Sequence, residues 1–188
     1  MISESPLQMP GRVVWITGLS GSGKSTLATE VVGQLRALRN DVIRLDGDEL
    51  REVFAAETIN LQRHDRDGRL MLAMQYASLC RLLSMQGFTV VIATISMFRE
   101  VYAWNRANVP GYFEVYLKVP IEELRRRDPK GIYRRFDAGD LLNVAGLDLP
   151  VEEPGEADFE VEFERTQSAT VTAKKLLNQL NKKMKKKY

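Results

Sequence analysis

A glycine-rich run near the start of the chain has the composition and spacing of a phosphate-binding loop. Its glycines let consecutive backbone N–H groups turn toward one anion, and its lysine places a positive charge beside the terminal phosphates of a nucleotide. The serine after the lysine offers its hydroxyl to a magnesium ion, and a helix beginning here directs its positive end at the same phosphates. The run predicts an ATP site made of Gly18, Leu19, Ser20, Gly21, Ser22, Gly23, Lys24, Ser25 and Thr26.

Two aspartates separated by a single glycine follow a second strand-like segment, residues 41–45. One of these two residues, Asp46 or Asp48, can accept the proton of an attacking hydroxyl with its carboxylate. The other can orient magnesium through water. The alternative is structural, with Asp48 capping the helix that follows and Asp46 merely exposed. Their position beside a predicted phosphate loop favours the catalytic interpretation. His64 is a weaker candidate for the base, because these aspartates already fit that role.

Several basic residues suit an anionic acceptor, because a guanidinium group binds phosphate through two parallel hydrogen bonds. Arg51 follows the aspartates, and Arg66 lies in a charged cluster at residues 63–69, for which a solvated loop with surface ion pairs is the alternative. Arg127 and Lys130 lie in a basic segment that we expect to close over the transferring phosphate and exclude water. An ordinary basic surface helix is the alternative for this segment.

Alternating strands and helices must position these residues. Apolar, β-branched segments predict buried strands, and an alternating segment predicts an edge strand, at residues 12–17, 41–45, 88–94, 112–119 and 159–163. Helical spacing predicts helices between and after them, at residues 27–35, 49–54, 70–85, 99–105, 121–127 and 168–180. The pattern is typical of an α/β, P-loop NTPase-type three-layer sandwich, with a mostly parallel sheet, helices on both faces and a small lid. Ligands of such folds bind beyond the carboxyl ends of the strands, so the polar clusters should share one active site.

The whole chain, 188 residues with 44% hydrophobic and 28% charged residues, fits one domain over residues 1–188. We expect a lid at about residues 128–148 and a solvated basic tail at 181–188. A net charge of +2 does not favour a nucleic-acid partner, and no apolar run is long enough to predict a membrane span. The single cysteine, Cys80, is typical of a core thiol in a reducing, cytoplasmic compartment.

The motifs together resemble those of adenylylsulfate kinases, which transfer a phosphate from ATP to the 3′-hydroxyl of adenosine 5′-phosphosulfate. The resemblance covers roughly residues 13–158. It depends on the phosphate loop and on four further motifs: Leu45-Asp46-Gly47-Asp48 with Arg51, Asp65-Arg66, Ile95-Ser96 with Arg99, and Arg127-Asp128-Pro129-Lys130-Gly131. It implies Mg²⁺ as cofactor, ATP as co-substrate, a small nucleotide as acceptor, and a homodimer.

The resemblance also implies a role for each candidate residue. Asp46 would be the base or an orienting carboxylate, while Ser25 and Asp48 would hold Mg²⁺. Lys24 would contact the β- and γ-phosphates, and Arg127 would close over ATP. Ser96 matches a serine that the family places beside the acceptor and that is sometimes phosphorylated. The implied catalytic residues are Asp46, Lys24, Ser96 and Lys130, and the implied acceptor-binding residues are Asp48, Arg51, Arg66, Arg69, Ile95, Ser96 and Lys130.

The chain departs from the family on the acceptor side. Members continue Asp-Arg with two residues and then Asn-Ile-Arg-Arg, where this chain has Arg69-Leu70-Met71-Leu72. Members also carry Phe-Thr-Gly in the lid, where this chain has Val144-Ala145-Gly146. The family's phenylalanine stacks on the acceptor's adenine, and the loss of one base stack costs about 1–3 kcal/mol. We expect Arg69 to compensate in part for the lost arginines.

Three functional hypotheses follow. The first is an ATP-dependent kinase acting on the ribose 3′-hydroxyl of an adenosine 5′-phosphosulfate-type acceptor. The second is a cytidine diphosphoramidate kinase of capsule modification, since the chain is similar to that branch around residues 82–120 and Val144 would suit a pyrimidine. The third, from another class, is a non-catalytic nucleotide-binding regulatory domain. A shikimate- or gluconate-type kinase would share the phosphate loop but would not explain Arg127-Asp128-Pro129-Lys130-Gly131.

Overall fold

Five strands form the centre of the molecule. A computed structural model describes residues 11–55 and 65–185. The strands within these residues are β1 (Arg12–Thr17), β2 (Val42–Asp46), β3 (Thr89–Ala93), β4 (Tyr112–Lys118) and β5 (Phe159–Glu162). They lie in the order β2-β3-β1-β4-β5, and each pairing within the described sheet is parallel. The predicted α/β architecture is confirmed, and β5 lies at an edge of the sheet, as its alternating pattern indicated.

Helices cover both faces of this sheet. They are α1 (Lys24–Arg36), α2 (Gly47–Ala55), α3 (Arg66–Met85), α4 (Arg99–Asn108), α5 (Ile121–Arg127), α6 (Ile132–Asp137) and α7 (Ala169–Lys185). Alternate side chains of β1 enter two separate cores: Val14 and Ile16 pack with α1 and α7, whereas Val13 and Trp15 pack with α3 and α4. Among the helices of residues 11–55 and 65–185, none is long and apolar enough to cross a membrane.

Of the helices that begin earlier than the sequence pattern predicts, α2 and α3 are each capped by an aspartate. Helix α3 begins at Arg66 and not at residue 70, since the side chain of Asp65 accepts a hydrogen bond from the backbone N–H of Gly68 at 2.9 Å. Helix α2 begins directly after β2, where Asp46 Oδ1 accepts from the backbone N–H of Asp48 at 3.0 Å. The alternative in which Asp48 caps this helix is therefore wrong, and Asp46 is the capping residue.

Some sequence predictions concern parts of the chain outside the described residues. The lead-in at residues 1–10, the candidate base His64 and the last part of the tail, residues 186–188, are among them. The first part of the tail, residues 181–185, is the end of α7 and is therefore helical. The predicted lid contains α6, which is followed by an irregular segment that returns to the sheet at β5.

Candidate active site

A cavity of about 460 Å³ opens at the carboxyl ends of β1, β2 and β3. Its walls come from the phosphate loop after β1, the aspartates after β2, residues 93–98 after β3, and the predicted lid. This is the position expected for a ligand of a parallel α/β sheet. Of the predicted site residues, the cavity is lined by Ser20, Gly21, Gly23, Lys24, Ser25, Thr26, Asp46, Asp48, Arg51, Ile95, Ser96, Arg69, Arg127 and Lys130.

The phosphate loop is held in a tight curl between β1 and α1. Gly18 and Gly23 have φ angles of 148° and 98°, which favour glycine, and a Cβ added at Gly18 would lie 2.7 Å from the carbonyl oxygen of Leu117. Tyr133, a buried residue of α6, donates a hydrogen bond from its hydroxyl to the carbonyl of Ser20 at 2.9 Å. The loop therefore keeps its shape through contacts with both the sheet and the lid helix.

Lys24 lies at the centre of this loop, and its ammonium group donates to the carbonyl of Leu19 at 2.7 Å. Burial lowers the pKa of Lys24 to about 8, although the nearby carboxylate of Asp48 opposes the change. Lys130 lowers the pKa of Lys24 further, because it adds a like charge. A charged lysine here is thus poorly solvated, and an anion placed in the loop would stabilise it.

The aspartates after β2 have different environments. Ser25 Oγ donates to Asp46 Oδ2 at 2.6 Å, and Asp46 is buried. The Asp48 side chain is 69% exposed and forms an ion pair with Lys130 of the lid. The family resemblance implied Ser25 and Asp48 as metal ligands, whereas the structure places Asp46 beside Ser25. This arrangement depends on the fold, because Asp46 is the last residue of β2 and Ser25 lies in the first turn of α1.

Two arginines, from α2 and α3, line the cavity. Arg69 donates to the carbonyl of Asn143 at 2.7 Å, and both Arg51 and Arg69 lie in the cavity wall. Burial lowers the pKa of Arg69, and the positive charge of Arg51 lowers it further. Leu72 and Tyr76 lie one and two turns after Arg69 and line the same wall. Sequence reasoning missed both, although the i, i+3, i+7 spacing from Arg69 places them on one helix face.

The loop after β3 forms the third wall. The side-chain oxygens of Ser96 and Thr94 lie 2.7 Å apart in a hydrogen bond, and both residues are buried. The carbonyl of Ile95 accepts a hydrogen bond from the hydroxyl of Thr17 at the end of β1. Ser96 is therefore a fixed part of the wall and is not an exposed hydroxyl.

Arg66 is the predicted acceptor residue that the structure places elsewhere. Its Nη2 lies 2.7 Å from Glu100 and 3.6 Å from Glu152, and its guanidinium group lies 5.6 Å from the centroid of the Phe98 ring. Among the described residues that line the cavity, Arg66 is absent. The sequence could not reveal this, because Glu152 lies far along the chain in the segment that follows the lid.

The end of the lid packs directly against the phosphate loop. The carboxylate of Asp148 accepts from the backbone N–H groups of Asn143 and Val144, at 2.8 and 2.6 Å, and closes a tight turn. Gly146 has a φ of 84°, and a Cβ added there would lie 2.8 Å from the Leu19 side chain. Val144 is buried, and the cavity wall here is aliphatic, formed by Ala145, Leu149, Pro150 and Val151.

Arg127 connects this cavity to a second one of about 260 Å³, which it lines together with Gly23 and Thr26. The guanidinium group donates to the carbonyl of Gly21 at 3.3 Å and lies 4.8 Å from the centroid of the Phe163 ring. A cavity that adjoins the phosphate loop and is lined by a cationic and an aromatic side chain suits a purine base. Phe163 was missed as a site residue, because the sequence pattern placed it at the end of an edge strand.

A family model for adenylylsulphate kinase matches residues 10–162 of the chain. The chain belongs to the adenylylsulphate kinase family. A cytidine diphosphoramidate kinase of Campylobacter jejuni subsp. jejuni is 38% identical to this family member over 147 residues, which cover 78% of this chain and 83% of that protein. An adenylyl-sulfate kinase of Deinococcus deserti is 36% identical over 155 residues, 82% of this chain and 83% of that protein.

A solved structure supports the same family assignment. The Mycobacterium tuberculosis APS kinase CysC, determined in complex with AMPPNP and APS, superposes on this adenylylsulphate kinase family member with a TM-score of 0.82. The two sequences are 30% identical, and the match covers 92% of this chain and 98% of the other. The resemblance inferred from the motifs is confirmed, and so is the prediction of an ATP-using phosphotransferase.

Proposed function

We propose that this protein uses ATP and Mg²⁺ to phosphorylate the ribose 3′-hydroxyl of a small nucleotide of the adenosine 5′-phosphosulfate type. The observation that carries the proposal is the convergence of three groups on one cavity: Lys24 in the phosphate loop, the Ser25–Asp46 pair, and the arginines Arg51 and Arg69. A phosphate donor, a proton acceptor and an anion-binding surface are the components that phosphoryl transfer to a nucleotide hydroxyl requires.

The donor side would bind ATP through the backbone N–H groups of the loop, residues 18–26. Lys24 would neutralise the β- and γ-phosphates, and Arg127 would contact the base beside Phe163. Mg²⁺ prefers hard oxygen ligands, and the hydroxyl of Ser25 and the carboxylate of Asp46, 2.6 Å apart, fit that preference better than the exposed Asp48. When bound, the ion would offset the negative charge of the phosphates.

Asp46 is also our candidate for the group that accepts the proton of the acceptor's hydroxyl, because it is a buried carboxylate with two oxygens at the donor end of the cavity. Arg51 and Arg69 would bind the acceptor's anionic group, with Ile95 and Ser96 forming the wall beside it. Lys130, paired with Asp48, would place positive charge over the transferring phosphate. Arg66 pairs with Glu100 and Glu152 in this structure, and its predicted role as an acceptor ligand stays a prediction.

A cytidine diphosphoramidate-type acceptor is the second candidate. The specific observation that favours it is the aliphatic lid wall, where Ala145 and Leu149 line the cavity and Val144 is buried. An aliphatic wall cannot stack on adenine as an aromatic ring does, so the advantage of a purine over a pyrimidine is reduced. The sequence-based predictions of a single domain over residues 1–188, a homodimer and a cytoplasmic location stay predictions.

The test is ADP release by the purified protein with Mg²⁺ and ATP, compared among adenosine 5′-phosphosulfate, cytidine diphosphoramidate and no acceptor. We expect strong stimulation by one of the two nucleotides and little ADP release without an acceptor. Stimulation by the cytidine compound alone would select the second candidate. Equal rates in all three reactions would contradict the proposal of a nucleotide 3′-hydroxyl kinase.

The lowered pKa of Lys24 predicts proton uptake on ATP binding. In the free protein the ammonium form predominates below pH 8 and is lost as the pH rises through about 8. Because ATP binds the charged form, its apparent affinity should fall up to about tenfold per pH unit above pH 8. Titration calorimetry at pH 8.5, in two buffers with different ionisation heats, should report up to about one proton taken up. Lys24→Ala is the control, and equal binding heats for the unaltered protein in both buffers would contradict the prediction.

A further inference from the structure

The short helix α5 ends in three consecutive arginines. Arg125 forms an ion pair with Asp137 of α6, whereas Arg126 and Arg127 both form one with Glu123 of the same helix. Arg126 and Arg127 follow Glu123 by three and four residues, so the three side chains are neighbours on the helix surface. A single carboxylate is therefore shared by two guanidinium groups.

Glu123 holds both groups through charge-assisted hydrogen bonds. Its Oε1 accepts from Arg127 Nε at 2.8 Å and from Arg126 Nη2 at 2.7 Å, and its Oε2 accepts from Arg126 Nε at 2.8 Å. The Glu123 side chain is only 6% exposed, so its oxygens are shielded from water. The hydrogen bonds from Arg126 and then Arg127 lower the pKa of Glu123 to about 2, and the carboxylate is therefore charged at neutral pH.

The guanidinium group of Arg127 also contacts the phosphate loop and the second cavity. Its Nη1 donates to the carbonyl of Gly21 at 3.3 Å, and the group lies 4.8 Å from the centroid of the Phe163 ring. Arg127 and Phe163 line the second cavity, whereas Glu123 and Arg126 line a neighbouring one that shares Arg127 and Phe163 with it. Within the described residues, Glu123 thus reaches the second cavity through Arg127 and not by lining it.

We infer that Glu123 is a positioning residue for the nucleotide base, because it fixes the guanidinium group of Arg127 in contact with both the phosphate loop and Phe163. An arginine side chain is long and flexible, and a bond at Nε sets the direction in which its planar group faces. A base would then meet a surface that is already ordered, which reduces the entropic cost of binding. The inference rests on the proposed function in one respect, which is that the base of ATP lies against Arg127.

Two other roles for Glu123 lead to different results. If its negative charge acted mainly by repelling phosphates, removal of the charge would tighten the binding of every polyphosphate, with or without a base. If its ion pairs only stabilised α5, their removal would lower the thermal midpoint and leave ligand binding unchanged. A positioning role selectively weakens the binding of ligands that carry a base.

The decisive variant is Glu123→Gln, which keeps the size of the side chain and removes its charge. Titration calorimetry with Mg²⁺ would compare ADP with inorganic pyrophosphate, which has two phosphates and no base. We expect the Kd for ADP to rise about tenfold, as loss of one charge-assisted hydrogen bond implies, and the Kd for pyrophosphate to change less than about twofold. Glu122→Gln is the matched control, since Glu122 is an exposed glutamate of the same helix. Equal changes for the two ligands, or unchanged ADP binding, would overturn the inference.

A double variant tests whether Glu123 acts through Arg127. Arg127→Gln alone should weaken ADP binding, and adding Glu123→Gln should weaken it little further, because both changes break the same contact. Fully additive effects on the binding free energy of ADP would overturn the positioning role.

Nuclear magnetic resonance gives a readout that depends on no ligand. The Nε–H signal of Arg127, assigned by its loss in Arg127→Gln, should exchange slowly with water in the unaltered protein and faster in Glu123→Gln. Unchanged exchange would overturn the inference. If neither acceptor nucleotide stimulates ADP release, the proposed function fails, and the ADP and pyrophosphate titrations still decide the role of Glu123, because they need no acceptor.

Discussion

Replacement of Lys24 by alanine is expected to reduce ATP-dependent turnover by about a thousandfold or more and to leave the fold intact. The ammonium group of Lys24 lies within the curl of the phosphate loop, where it donates to the carbonyl of Leu19. In the proposed function it would be the loop's own positive charge beside the transferring phosphate, and alanine provides no substitute. The measurement is acceptor-stimulated ADP release under saturating ATP and Mg²⁺.

The thermal midpoint separates this catalytic loss from unfolding. The pKa of Lys24 is lowered in the folded protein, so the charged lysine disfavours the folded state at neutral pH. Removal of the charge should therefore not lower the thermal midpoint. Lys118→Ala is a matched control, because Lys118 is an exposed lysine of β4 whose ammonium group lies 3.4 Å from the carboxylate of Glu160. Turnover retained at a tenth or more of the normal rate in Lys24→Ala would exclude the loop as the donor site.

Asp46→Asn is the second substitution with a large expected effect, a fall in kcat of about a hundredfold to ten-thousandfold. The amide keeps the shape of the carboxylate and can still accept from the backbone N–H of Asp48, so the cap of α2 is preserved. It can neither accept a proton from the acceptor nor provide negative charge beside Ser25. Rates measured over a range of Mg²⁺ concentrations would separate these two losses, because higher Mg²⁺ can restore only the second.

The neighbouring aspartate is the control for this experiment. Asp48→Asn removes an exposed ion pair with Lys130, and exposed pairs contribute about 0–1 kcal/mol. We therefore expect Asp48→Asn to lower kcat by less than about tenfold. A larger fall in kcat for Asp48→Asn than for Asp46→Asn would contradict the choice of Asp46 as metal ligand and base. It would favour Ser25 and Asp48, the pair of metal ligands that the family resemblance implied.

The part of the candidate site that could be predicted from the sequence is formed by residues that are close together along the chain. The phosphate loop is a continuous motif, and Asp46, Arg51 and Lys130 were found because each follows a strand or helix closely. The contact between Ser25 and Asp46 could not be predicted, because it depends on how β2 lies beside the start of α1. Arg66 shows the same limit, since nothing in its neighbouring sequence reports that its guanidinium group lies 3.6 Å from the distant Glu152.

The fold was more predictable than the site, because strand and helix periodicity is local. Errors occurred where one side chain decided a boundary, as Asp65 does at the start of α3 and Asp46 at the start of α2. The lid was predicted from its basic residues, and its contact with the phosphate loop through Gly146 was not, because no local pattern reports a close approach between distant segments.

Helix α7 has a consequence for any attempt to express a shortened version of this protein. Its side chains Ala173, Leu176 and Leu180 are fully buried, and they share a core with Val31 and Leu35 of α1. The region matched by the family model ends at residue 162, before this helix begins. A fragment that ends at residue 162 would lack α7, and the face of α1 that packs against α7 would be exposed to water. The smallest stable unit therefore extends beyond the family boundary to at least residue 180.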